Sequence, residues 1–476
     1  MYRFRGIERL LGSDELKNQE IYFSDLKSLN DPMEGFREIY WSGDCIVWKN
    51  LFKHYIMSLD NLLAITRISK EDYIITDDDI NVFINYTNLP TQIYKDKIDD
   101  IFKDFFQTSI ISECIDFLGN YSENIYSEEI YVFLKIIHTI ALDSIIKINI
   151  KYGLFPEEKI NNKGRNDKKI SELFNLLKKL DNKKEAETYK KIFKIFKKIF
   201  EEMELLHAYE LIDKTPNNKY YYIYSEFPNA YIRVIQQLIY PDSYIACFMD
   251  NCNNTVVWSH YANKHKGVAL KFKTSSKEIN TPKYIELLGV SGLYADKKST
   301  RHTRDKLKLQ FEKVDYTGNY PSMNYFTTLG KLPIGIINKE WYSDNGNISE
   351  FSEYMNPKQG LDKWRKKYWE MYKDSFLIKL NNWEYENEYR LIIPDNLGIH
   401  KERHNRKFRY DFKDLEGIVF GLKTNLDDKI EIVRIIREKC KDNNRQEFDF
   451  YQMKYDSNKG SLVAGKVEIP ISKEPS

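Results

Sequence analysis

Hydrophobic positions recur with two different periods along this chain, and the switch between them divides it. Residues 1–48 mix the two: extended runs at 2–4 and 21–23, helical spacing over 7–16, then the turn-forming Asn30-Asp31-Pro32. In that turn Asx side chains cap local backbone and proline fixes φ. From about 49 to 215 apolar residues fall three and four apart almost throughout, which predicts helices. The clearest stretch sets Ile192, Phe193, Ile195, Phe196, Ile199, Phe200 and Met203 against Lys190, Lys191, Lys194, Lys197 and Lys198. That is the pattern of a helix packed by its apolar side with lysines in water. A polar, Asn/Lys-rich linker at 160–169 interrupts the block.

The extended pattern returns at about residue 219. Strands are predicted near 244–248, 267–272, 284–287, 309–316, 408–412, 417–420 and 448–453, with helices over 255–263 and 427–440 and a partly helical stretch over 361–378. The economical reading is one α+β domain, residues 1–48 plus 219–476, holding an all-helical insertion over 49–218. An abrupt change of period whose two ends return to the same β-rich pattern marks the insertion as separately folded, a surface for a protein partner or for self-association.

Composition narrows the class. With 476 residues, 42% hydrophobic and 14% aromatic, the chain has material for real cores. Charge is nearly balanced, 73 basic against 71 acidic residues, so no global basic footprint points to nucleic acid. The five cysteines are scattered, the start Met1-Tyr2-Arg3-Phe4-Arg5 lacks an apolar leader, and no run is long enough to span a bilayer. A reduced, cytoplasmic protein without membrane contact is expected.

Three polar motifs carry the candidate chemistry. Trp383-Glu384-Tyr385-Glu386-Asn387-Glu388-Tyr389-Arg390 runs into Leu391-Ile392-Ile393. Extended from Glu386, it sets Glu386, Glu388 and Arg390 on one face and Asn387, Tyr389, Leu391 and Ile393 on the other. Paired carboxylates suit chemistry that develops positive charge, such as cleavage at a sugar's anomeric carbon; a solvated edge strand is the alternative. Trp258-Ser259-His260-Tyr261-Ala262, then His265-Lys266-Gly267, puts Trp258 and Tyr261 on a packed flank and Ser259, His260 and Lys266 toward a ligand. Adjacent Ser and His on one helix diverge, which disfavours a hydrolase pair. Cys247, Cys252, His260 and His265 are zinc-type ligands whose spacing fits no common finger. The glycines form neither a dinucleotide fingerprint nor a phosphate loop.

Together, Asn30-Asp31-Pro32-Met33-Glu34, Trp258–Gly267 and Trp383–Arg390 resemble, in order, the N-D-P-x-E, W-S-H-Y-A-x-x-H-x-G and W-x-Y-E-x-E-Y-R motifs of a widespread prokaryotic family, domain of unknown function 2971. The resemblance covers residues 1–48 and 240–425. More distantly it is similar to the ADP-ribosyltransferases, which bind NAD between two small sheets. That second resemblance implies a split-sheet α+β fold with NAD as substrate. It makes Arg3 the ribose ligand, Ser259 the middle residue, Glu388 the catalytic carboxylate and Glu386 the acceptor-activating one. Tyr2, His260, Tyr261 and Arg390 would position NAD or align the carboxylates, and Asn30, Asp31 and Glu34 would rim the cleft. The acceptor would be protein or nucleic acid, and the role a bacterial antiviral one such as abortive infection. The rival readings are a non-enzymatic sensing module, and a metal-dependent nuclease built on Asp31, Glu34, Glu386 and Glu388.

Overall fold

The computed structural model describes residues 1–70, 72–156, 186–211, 219–275, 281–296, 299–358, 360–458 and 460–471. The expected linker at 160–169 lies outside them. The protein is mixed α+β and divides into two compact units. The first is Met1–Phe36, Pro241–Tyr320 and Lys373–Ser476; the second is Arg37–Tyr240 and Pro321–Tyr372.

The first unit is built on strands β1 (Tyr2–Arg5), β2 (Glu20–Tyr22), β3 (Ser24–Asp25), β4 (Asp242–Met249), β5 (Val268–Phe272), β6 (Tyr284–Ala295), β7 (Thr300–Gln310), β8 (Glu312–Lys313), β9 (Glu388–Asp395), β10 (Lys407–Tyr410), β11 (Leu415–Phe420), β12 (Asp449–Asp456) and β13 (Ser461–Val467). Nine of them form one sheet in the order β8-β9-β4-β1-β5-β11-β12-β13, with β3 also on β4; β2-β10-β6-β7 form a second. The near-continuous apolar run of β4 reflects its central position, covered on both faces. Phe23, Phe248, Phe272, Leu391, Phe408 and Ile418 belong to the core cluster of this unit.

The two edges of β4 are paired differently. β9 runs along one of them for its whole length, from Glu388–Met249 to Asp395–Asp242. The other edge is shared: β1 meets it at Tyr2–Met249, and β3 at Ser24–Ile245 and Asp25–Tyr244. On its other side β1 pairs with β5 over its whole length, Tyr2 to Arg5, so beyond Tyr2 it stays with β5 alone. That parting opens the sheet between β1 and β4.

Gly267 makes the β1–β5 pairing feasible. A Cβ there would sit 2.1 Å from the Arg5 carbonyl oxygen, so only glycine lets β1 approach.

In the second unit the helices α1 (Cys45–Ile68), α2 (Gln92–Phe106), α3 (Ser109–Asn120), α4 (Ser127–Lys151), α5 (Ala186–Leu211) and α6 (Phe227–Ile235) follow the three-and-four spacing. Asp44 caps α1 by accepting from the Ile46 and Val47 amides. The expected insertion boundaries, 49–218, differ from those of this unit. Aromatic packing is the reason: Trp41 stacks with Tyr325, Trp48 meets Phe326 edge-on, and His54 stacks on Trp341 at 4.3 Å. Residues 321–372 therefore join the helices. The spacing also misses the charged hairpin β6–β7 over most of its length and the strand β13, since β7 is largely exposed and lacks an apolar alternation.

Candidate functional site

The acidic strand starts later than its alternation predicts. Asn381–Glu386 is a 3-10 turn, Asn387 takes a left-handed φ of 45°, and β9 begins at Glu388. Glu386 therefore reaches the same place as Glu388 by a turn rather than by strand period. Neither carboxylate is solvated: Glu386 and Glu388 are each 1% exposed and Arg390 is fully buried.

A closed ion network surrounds them. The Lys379 ammonium contacts Glu34 at 3.1 Å, Glu386 at 2.9 Å and Glu388 at 2.7 Å. Arg390 donates from Nε to Glu388 at 2.9 Å and from Nη2 to Glu34 at 2.8 Å, and its Nη1 lies 2.7 Å from the second Glu34 oxygen. The Tyr261 hydroxyl donates to Glu386 at 2.6 Å, and the Glu388 amide donates to the Tyr316 hydroxyl at 2.7 Å. Three carboxylates against two cations leave one surplus negative charge when all are ionised.

The network splits its two central carboxylates. Burial pushes Glu388 up, but Arg390 and Lys379 outweigh it and hold the group well below the usual carboxylate range. Glu386 moves the other way: burial and the neighbouring Glu388 charge raise it against the pull of Lys379. Burial likewise raises Tyr261, and the thiol of Cys247, which faces Glu388, is pushed well up.

Each motif has a local task here. Asp31 accepts the Met33 amide at 2.9 Å in an Asx turn, and that turn presents Glu34 to Arg390. Asn254 caps the helix Thr255–Tyr261 through the Val256 and Val257 amides and donates to the Tyr385 carbonyl, joining the middle motif to the acidic one. Trp258, fully buried, donates to the Cys252 carbonyl.

Arg3, Asn30, Glu34, His260, Tyr261, Lys379 and Glu388 all line one cleft of about 1120 Å³. By strand register Glu388 shares a face with Met249 and Tyr2, whereas Arg3 projects from the opposite face, its guanidinium over the Phe248 ring at 5.3 Å. Both reach the cleft because it follows the parting between β1 and β4. Arg3 is 2% exposed; Nη2 donates to the Tyr22 carbonyl at 2.7 Å, while Nε and Nη1 are buried without a hydrogen-bond partner among the described residues.

Other expected residues lie elsewhere. Ser259 is exposed and outside the cleft lining. Tyr2 packs with the cluster of Phe4, Met249 and Trp258, and burial pushes its hydroxyl up to about 12. Asp31 is buried behind Glu34, and Glu386 and Arg390 stand behind Glu388 rather than in the lining. Lys379 and Tyr316 escaped the sequence reading, which weighed Cys247 only as a zinc-type ligand. Lys379 had one signal, a single charge within the apolar run Phe376-Leu377-Ile378-Lys379-Leu380. Among the described residues no group of His, Cys, Asp and Glu is arranged to hold a metal ion, and no helix is long and apolar enough to cross a membrane.

Residues 257–391 match the family described as "Protein of unknown function (DUF2971)", and this match spans the middle and acidic motifs. Neither the curated proteins nor the solved structures contain a match to the chain.

Proposed function

We propose that this chain, whose DUF2971 region supplies Tyr261, Lys379, Glu386 and Glu388, consumes NAD in the cleft of its first unit, by ADP-ribosyl transfer or by hydrolysis. The observation that carries the reading is the pairing, in one cleft, of a buried guanidinium with two unpartnered nitrogens and a carboxylate held ionised. Arg3 suits an anionic or hydroxyl-rich group of a nucleotide, since a buried unsatisfied donor is costly until a ligand accepts from it. Bound there, NAD would supply an activated anomeric carbon and a neutral leaving group. Glu388, held ionised between Arg390 and Lys379, stabilises positive charge developing beside it. Glu386, the carboxyl with the raised proton affinity, serves as the acid–base partner through Tyr261 and Lys379. On this reading the fold is ADP-ribosyltransferase-like: the parting of β1 from β4 supplies the cleft, and His260 rims it. The biological role is that of an effector in bacterial antiviral defence, acting in the cytoplasm by NAD loss or by modifying a protein or nucleic-acid acceptor.

The test is nicotinamide release from NAD by the purified chain, alone and with cell extract. Arg3→Ala should raise KM, and Glu388→Gln should cut turnover about a hundredfold, roughly 3 kcal/mol in the barrier. Wild-type protein inert toward NAD in both conditions would favour a sensing module. Activity on nucleic acid that a chelator abolishes would favour the nuclease.

A further inference from the structure

Helix α5 is apolar on two sides, and among the described residues only one of them is packed. Tyr189, Phe193, Phe196 and Phe200 recur four, three and four apart. Phe193 tilts onto Phe133, and Phe200 meets Tyr131 edge-on, both rings on α4. Glu204 continues that side, accepting from the Tyr131 hydroxyl and pairing with Lys135. At 100° per residue, Ile195, Ile199, Met203 and Leu206 form a separate stripe about a third of a turn away. These four are 57%, 42%, 60% and 64% exposed, and Leu205 and Tyr209 flank them at 72% and 76%. The single apolar face expected from the spacing is thus two faces. A run of large apolar side chains in water on one helix marks an interaction surface.

Charge identifies the occupant. Lys190, Lys191, Lys194, Lys197 and Lys198 fill the N-terminal half of α5, and Glu201, Glu202 and Glu204 follow in the C-terminal half. Lys191 and Lys198 border the exposed stripe on the same flank as Glu202, which Lys198 reaches within its own helix at 3.7 Å, whereas Lys194 and Glu201 turn toward the far side. A two-fold axis that pairs two such helices antiparallel brings the same flank of each copy together, reversed in direction. These lysines of one copy then meet Glu202 of the other, at both ends of the contact. We infer that two copies of this chain associate through α5, antiparallel, with Ile195, Ile199, Met203 and Leu206 at the centre and Lys191 and Lys198 alongside the partner copy's Glu202 half. A parallel pairing would set the charged flank against the partner's aromatic side and leave it without complementary charge, and an anionic lipid surface would be repelled by Glu202.

The experiment is sedimentation velocity on the full-length chain over a concentration series. Wild type should shift from one chain mass to two as concentration rises. Ile199→Asp with Leu206→Asp should leave one chain mass throughout, with helicity by circular dichroism unchanged. Because buried charge can also disturb folding, the exposed pair supplies a second arm: Glu202→Lys should weaken association about tenfold, and Lys198→Glu added to it should restore the dimer, since complementarity is rebuilt with the signs exchanged. A wild type that stays monomeric, a dimer indifferent to the aspartates, or a double charge exchange that fails to recover association would each overturn the inference.

Discussion

Glu388 and Glu386 sit two residues apart, share Lys379, and respond to acid in opposite senses. The folded-state value of Glu388 lies below its ordinary 4.5, so its ionised form stabilises the fold. That contribution is complete above pH 4.5 and drains away as pH falls below it. Glu386 is raised, so the folded chain holds its proton more tightly than the unfolded chain; ionising it as pH rises removes stability. Glu388→Gln should therefore cost about 3 kcal/mol at neutral pH, because Arg390 and Lys379 lose their central partner in a buried site. It should also flatten the acid limb of stability against pH. Glu386→Gln should cost distinctly less, as the amide still accepts from Tyr261 and Lys379 without burying a charge. Urea midpoints measured from pH 2 to pH 7 would check both. Equal losses for the two variants would mean that the network does not separate its carboxylates.

At the scale of elements, the site depends on how β1 enters the sheet. Arg3 reaches the cleft only because β1 leaves β4 after Tyr2 and runs along β5. Gly267 permits that approach, and its replacement by alanine forces a Cβ against the Arg5 carbonyl oxygen. Gly267→Ala should destabilise by about 2 kcal/mol, the cost of overpacking against backbone that must shift. It should also impair any Arg3-dependent ligand binding beyond what the stability loss explains. The measurements are the urea midpoint and nucleotide affinity on the same preparation; an unchanged midpoint would show that β1 has slack. A cap makes the second joint. Asn254→Ala removes two amide contacts from the helix Thr255–Tyr261 and its tie to Tyr385, and should cost about 1 kcal/mol.

The whole chain folds as two units whose residues interleave along the sequence. Removing the apparent insertion alone, residues 49–215, would cut α1 after Trp48 and take His54 off Trp341, leaving Trp341 and the rings packed beside it short of cover. Such a chain should aggregate, since those large rings lose their covering. A chain that lacks all of the second unit, 37–240 and 321–372, with short flexible joins, keeps the first unit complete and should stay monodisperse. Light scattering on the two deletion variants decides the matter, and a soluble, folded first variant would contradict the aromatic account. The sequence alone determined the class of most segments, with the charged hairpin β6–β7, strand β13 and the turn Asn381–Glu386 as exceptions. Period two and period three-to-four separate strand from helix, and the turn chemistry of Asn30-Asp31-Pro32 is local. Three polar motifs stood out because carboxylates and histidines are conspicuous among apolar runs. Tertiary structure decided the rest. Which residues are buried together depends on strand order and on where β1 parts from β4, and neither leaves a period in the sequence. Lys379 was one lysine in a lysine-rich chain until packing set it among Glu34, Glu386 and Glu388. Ser259 and His260, neighbours in one motif, separate because successive helix positions turn 100° apart, and only His260 meets the cleft. Residues 321–372 joined the helices because aromatic rings seek cover wherever the chain brings it, and covalent order does not record that choice.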